Sequence, residues 1–88
     1  MSRYFFHLEH VRVVTDRKGS DHPDLDAAKL HAVKTLASAL TEEPQVFWDS
    51  DVFRMNVSDA NGLALFAIEV FATMAPAGGR RFPKGPPA

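Results

Sequence analysis

The sequence predicts an α+β fold of order ββαββ, a four-stranded, mainly antiparallel sheet with one helix packed on one face. Three observations predict it. The chain opens on an aromatic-rich run, Tyr4-Phe5-Phe6-His7-Leu8, with no Gly or Pro. Residues 25–41 contain no helix breaker and repeat apolar side chains at spacings of three and four. Residues 52–58 alternate apolar with polar side chains. They run into Asp59-Ala60-Asn61-Gly62, a tight-turn signal, and then into a second strand-like stretch at 63–71.

Residues 3–9 form the first strand. Residues 11–16, Val-Arg-Val-Val-Thr-Asp, form the second after a short connection at Glu9 and His10. Gly19 and Pro23 mark residues 17–24 as a loop. Asp24 is a suitable N-cap, and Asp26 in the first turn suits the helix dipole. The helical stripe comprises Leu25, Ala28, Ala32, Val33, Leu36, Ala37 and Leu40, and the helix stops before Pro44. Residues 42–51 read as a loop that tucks an aromatic against the core edge. Lengths agree: 17 helical residues span roughly 25 Å and seven strand residues roughly 23 Å. Residues 72–88 hold four of the six prolines and three of the five glycines, and are expected to be a disordered basic tail after a single domain at 1–71.

A strand turns alternate side chains to opposite faces. Tyr4, Phe6 and Leu8, Val11 and Val13, Phe53, Met55 and Val57, and Phe66, Ile68 and Val70 are expected under the helix. The other face then carries Phe5, His7, Arg12, Val14, Arg54, Asn56, Leu65, Ala67, Glu69 and Phe71. Phe5, Val14, Leu65 and Phe71 make that face more apolar than a solvated one, and a patch of this kind marks an interface. Phe5, His7, Leu65 and Phe71 are therefore the expected partner contacts, with a second copy or another protein as partner.

Composition narrows the function classes. A chain of 88 residues allows one domain and a small core. The absence of cysteine removes disulfides, thiolate nucleophiles and thiolate metal sites. No leader pattern and no apolar run of membrane length is present, so a cytoplasmic protein without membrane contact is expected. All 11 acidic residues precede position 72, against seven basic ones, a net charge of −4 for that part. Such a balance disfavours a nucleic-acid surface. The alternative is an antitoxin-like regulator that meets nucleic acid through Arg12, Arg54 and the segment bearing Arg80, Arg81 and Lys84.

Chemical motifs are few. His7 and His10, three apart on a strand, face opposite ways and do not chelate one metal. Ser20-Asp21-His22 holds the residue types of a catalytic triad, but a triad is defined by spatial roles, and turn and capping chemistry explains it. Asp21, Asp24 and Asp26 lack the spacing and closing Glu of a calcium loop. No phosphate loop or dinucleotide fingerprint occurs. No enzyme, cofactor or metal is expected.

Met1 to Leu8 (Met-Ser-Arg-Tyr-Phe-Phe-His-Leu), Pro23 to Ala28 (Pro-Asp-Leu-Asp-Ala-Ala) and Val57 to Gly62 (Val-Ser-Asp-Ala-Asn-Gly) together resemble a family of small alphaproteobacterial domains of unknown function. The resemblance covers residues 1 to about 71 and departs at Glu9-His10-Val11, where the family has an Asp/Gly-rich turn. It implies no catalytic residues. The Pro-Asp-Leu helix start is also similar, over one short segment, to antitoxin domains of the HicB type. The function expected is a small protein-interaction or regulatory module that self-associates.

Overall fold

Among the described residues, seven elements follow in order: β1 (Ser2–Glu9), β2 (Val13–Val14), β3 (Ser20–His22), α1 (Leu25–Glu42), α2 (Pro44–Asp49), β4 (Arg54–Asp59) and β5 (Ala64–Glu69). The computed structural model describes residues 1–76, 78–79 and 81–83. The fold is α+β, as the sequence predicts, with an antiparallel sheet of five strands rather than four. β1 lies inside it. One edge of β1 pairs with β4 from Tyr4 opposite Asp59 to Glu9 opposite Arg54, and β4 pairs in turn with β5. The other edge is shared by two short strands, β2 beside Leu8 and Glu9 and β3 beside Ser2 to Tyr4.

Register decides which side chains reach the helix. Phe6 opposes Val57, Leu8 opposes Met55, and Met55 and Val57 oppose Ile68 and Phe66. These residues and Tyr4 form one face, on which α1 lays Ala28, Ala32 and Leu36. Two of those helix residues are alanines, so the helix backbone approaches the sheet closely. Met55 and Val57 are essentially inaccessible, and burial of such side chains contributes about 1.5–3 kcal/mol each.

Local chemistry sets the helix ends. Asp24 has extended backbone, and its side chain accepts the Ala27 N–H at 2.8 Å, satisfying one of the free amides of the first turn. α1 ends where Glu43 donates its N–H to the Ala39 carbonyl, and Pro44 opens α2. A proline fits there because the first helical N–H needs no partner. α2 turns Phe47 edge-on to Phe53, with ring centroids 5.7 Å apart, and leaves Trp48 60 % exposed.

Four sequence expectations need correction. Residues 20–22 are strand β3 and residues 44–49 are helix α2, where the sequence predicts loops. The second strand shrinks from 11–16 to Val13–Val14, and its faces are reversed. Val14 opposes Leu8 and so takes the helix side while Val13 opposes Glu9, and Val11, Val13 and Val14 all remain exposed. The cause is the turn before it: His10 donates its N–H to the Arg12 carbonyl, and Arg12 donates its own to His10 Nδ1, which shifts the alternation by one residue. In α1 the stripe centres on Ala28, Ala32 and Leu36, so Leu25, Val33 and Ala37 are exposed.

Candidate functional site

Between β2 and β3 the outer edge of β1 has no strand beside it among the described residues, and Asp16 fills the gap. Its Oδ2 accepts the Phe6 N–H at 3.0 Å, while Oδ1 accepts the N–H groups of Lys18 and Gly19 at 3.1 and 3.0 Å. Burial alone would raise the carboxyl's pKa, but the hydrogen bonds from Gly19, Phe6 and Lys18 outweigh it, and the pKa falls below its usual value. The Asp16 N–H donates to His7 Nδ1 at 3.1 Å. That nitrogen is therefore an acceptor, and in the neutral ring the proton sits on Nε2, which faces Ser58 Oγ at 3.0 Å.

The cluster holds serine, histidine and aspartate, but its polarity is opposite to that of a nucleophile triad. A general base needs a lone pair on the nitrogen facing the serine hydroxyl. Here that nitrogen carries the hydrogen. Asp16 spends its carboxylate on peptide N–H groups and makes no hydrogen bond to the imidazole. The arrangement ties β1, β4 and the 15–19 loop together.

Phe5, the third aromatic of the opening run, is half-buried. Gly19 lies over it at a φ of +72°, and a Cβ there would meet Phe5 Cε2 and the Tyr4 carbonyl oxygen, both at 2.9 Å. Only glycine suits that backbone at that distance. Phe5 and His7 thus already have neighbours within the chain. Arg3, beside them, holds Asp21 through Nε and Nη2 at 3.1 and 3.0 Å.

Farther along the same face runs a charged row. Arg54 donates to Glu69 Oε2 at 2.7 Å on one side and lies 3.7 Å from Glu9 Oε1 on the other, while Asn56 donates to Glu9 at 3.2 Å. The hydrogen bond and charge of Glu69, with Glu9, raise the Arg54 pKa further. Arg54 is therefore flanked by two carboxylates. Arg12, expected beside it, lines instead a groove on the helix side with Val14, Glu42 and Glu43, a consequence of the reversed register. Arg81 is exposed, whereas Arg80, Lys84 and five other residues of the expected tail (77 and 85–88) lie outside the described residues.

The row also divides the expected partner contacts. Leu65 lies near the Phe5 end of the sheet, whereas Phe71 lies roughly 20 Å farther along the chain direction, past Glu69. Phe71 is 79 % exposed and borders a cleft of about 220 Å³ with Phe47, Trp48, Asp51 and Met74. Leu65 and Phe71 nevertheless share one feature: both belong to β5 or its continuation, the outermost strand of the sheet.

Sequence reasoning missed Asp16 and the pair His22 and His31. An Asp three residues before a Gly, as in Asp16-Arg17-Lys18-Gly19, is a signal for a side chain that caps its own turn. The rings of His22 and His31 lie 4.7 Å apart, and both contact Phe6. Burial, then the charges of His22 and Lys34, lower the His31 pKa against a smaller opposing effect of Asp16. Among the described residues no group of three or more His, Cys, Asp or Glu is placed to hold a metal ion, and no helix is long and apolar enough to cross a membrane.

No curated protein and no solved structure matches the chain. A family model does, across almost all of the seven elements, from the second residue of β1 to just beyond β5. The chain belongs to the family described as Domain of unknown function (DUF6894), which it matches over residues 3–72.

Proposed function

We propose that the protein is a small non-enzymatic interaction module that associates with itself, acting as an accessory or regulatory protein in the bacterial cytoplasm. The observation that carries the reading is the apolar line along β5 and its continuation. Leu63, Leu65, Phe71 and Met74 are all exposed there, beside an outermost strand. Exposed apolar surface grouped in this way marks association. The polarity of the His7–Ser58 hydrogen bond supports a structural rather than a catalytic cluster. The contact surface in this reading is the β5 side, with Leu65 and Phe71 retained from the sequence and Phe5 and His7 serving the chain's own packing. A nucleic-acid role draws less support, because Arg54 is neutralised by Glu9 and Glu69.

Size-exclusion chromatography with light scattering over a hundredfold dilution tests this. A mass that moves from twice the chain mass towards 9.7 kDa is expected. A constant monomer mass at the highest concentration overturns the reading. A salt-sensitive mobility shift with duplex DNA or RNA in its place favours the alternative.

A further inference from the structure

We infer that β5 pairs antiparallel with β5 of a second copy, about a two-fold axis through Ala67, so that two sheets become one; the inference rests on the self-association just proposed and names its surface. The backbone supplies the first argument. Val70 donates its N–H to the Phe53 carbonyl at 2.9 Å, so Val70, Ile68 and Phe66 turn their peptide groups towards β4. Antiparallel ladders alternate, and the N–H and C=O groups of Ala67 and Glu69 therefore point away from the sheet. β5 is the last strand of the order, so no strand among the described residues accepts them.

Edges of this kind are usually blunted by lysine, proline or an inward charge. Ala64–Glu69 contains none of the first two, and its single charge, Glu69, is held by Arg54 of the same chain. The one irregularity of the strand lies where Val57 and Ser58 meet it, which leaves residues 66–69 in regular register.

Self-complementarity supplies the second argument. An isologous contact needs the same edge twice and nothing else. With the axis at Ala67, residue numbers of opposed pairs have a constant sum and equal parity, so both helices lie on one side of the joined sheet. Phe66 then meets Ile68 on the helix side. Leu65 meets Glu69, and exposed Leu63 meets exposed Phe71, each pair formed twice. The two Glu69 side chains stay apart, each on its own Arg54. A strand of this neutral, apolar character fits a copy of itself better than a charged partner.

Ala67 is exposed and opposes Asn56, so a longer side chain there is solvated in the monomer. Light scattering on wild type, Ala67→Lys, Ala67→Glu and their equimolar mixture tests the inference, with far-UV circular dichroism to confirm folding. Wild type is expected as a dimer. Each variant alone places like charges at the axis and weakens dimerisation at least tenfold, and the mixture restores it. The chain has no cysteine, so Ala67→Cys gives a second reading. Opposed residues of a hydrogen-bonded antiparallel pair have Cα atoms about 5.5 Å apart, within disulfide range, and mild oxidation should cross-link the variant. A wild-type dimer that neither charge weakens, or an Ala67→Cys variant that fails to cross-link, overturns the edge and leaves self-association standing. A wild-type monomer overturns both.

Discussion

Replacing Asp16 with alanine removes three hydrogen bonds at once, one to the exposed Lys18 amide, one to the part-buried Gly19 amide and one to the Phe6 N–H inside the sheet. The loss of the two loop amides of Lys18 and Gly19, the first exposed and the second part-buried, resembles removal of a helix cap, about 0.5–2 kcal/mol. The Phe6 amide is part-buried on the strandless stretch of β1, and leaving such a group unpaired costs about 1–3 kcal/mol. Together these give a destabilisation of about 1.5–5 kcal/mol, a large share of the stability of a domain this small. Asp16→Asn separates the parts. Its Oδ1 keeps Lys18 and Gly19, while its NH2 faces the Phe6 N–H as donor to donor, so it should cost roughly half as much. Urea denaturation followed by circular dichroism measures both. An Asp16→Ala midpoint within about 0.5 kcal/mol of wild type would refute the assignment of Asp16 as the substitute for a strand. The acid limb provides a cross-check. Because folding lowers the Asp16 pKa, its contribution is complete above 3.8 and is lost as pH falls through the lower folded value. The Asn variant lacks that loss.

Two further outcomes are expected. Gly19→Ala should destabilise by more than about 2 kcal/mol, since it combines a left-handed backbone with contacts at 2.9 Å, whereas Gly62→Ala, at a φ of +83° in open space, bears only the backbone cost of about 1–2 kcal/mol. Equal thermal shifts for the two would show that the Phe5 contact carries nothing. His31 has a folded pKa below its unfolded 6.5, so the unfolded chain binds more protons in that range and stability falls as pH drops from 6.5 through the folded value. His31→Gln should flatten the urea midpoint between about pH 7.5 and 5; an unchanged slope would remove His31 from the account.

Much of the fold was legible because its longest elements carry local signals. The apolar spacing of residues 25–41 predicts α1, observed at Leu25–Glu42, and the alternation before Asn61-Gly62 predicts the β4–β5 hairpin. β3 was not legible, because Ser20, Asp21 and His22 have weak strand preference of their own and become a strand only beside the free edge of β1. α2 was hidden by reading Pro44 as a stop alone, when proline opens a helix equally well. The reversal of Val13 and Val14 follows from two hydrogen bonds in one turn, His10 N–H to the Arg12 carbonyl and Arg12 N–H to His10 Nδ1, which no periodicity reveals. Of the four residues expected as partner contacts, Leu65 and Phe71 are exposed apolar side chains, whereas Phe5 and His7 are engaged within the chain. The separation between them and the engagement of Phe5 by Gly19 are tertiary facts, invisible to alternation.

The central position of β1 has a consequence for how the chain is made. His7 bonds to Ser58, 51 residues later, so the main partner of the first strand is almost the last part of the sheet to be synthesised. At roughly 5–20 residues per second, Tyr4, Phe5 and Phe6 wait about 3–10 s for β4. During that interval the pieces already made are β2, β3, α1 and α2, of which β3 and α1 offer Ser20, Ala28 and Ala32 as a first shelter. The two short strands and the Asp16 knot, spare as they look in the finished sheet, give the nascent aromatic strand its earliest place to dock.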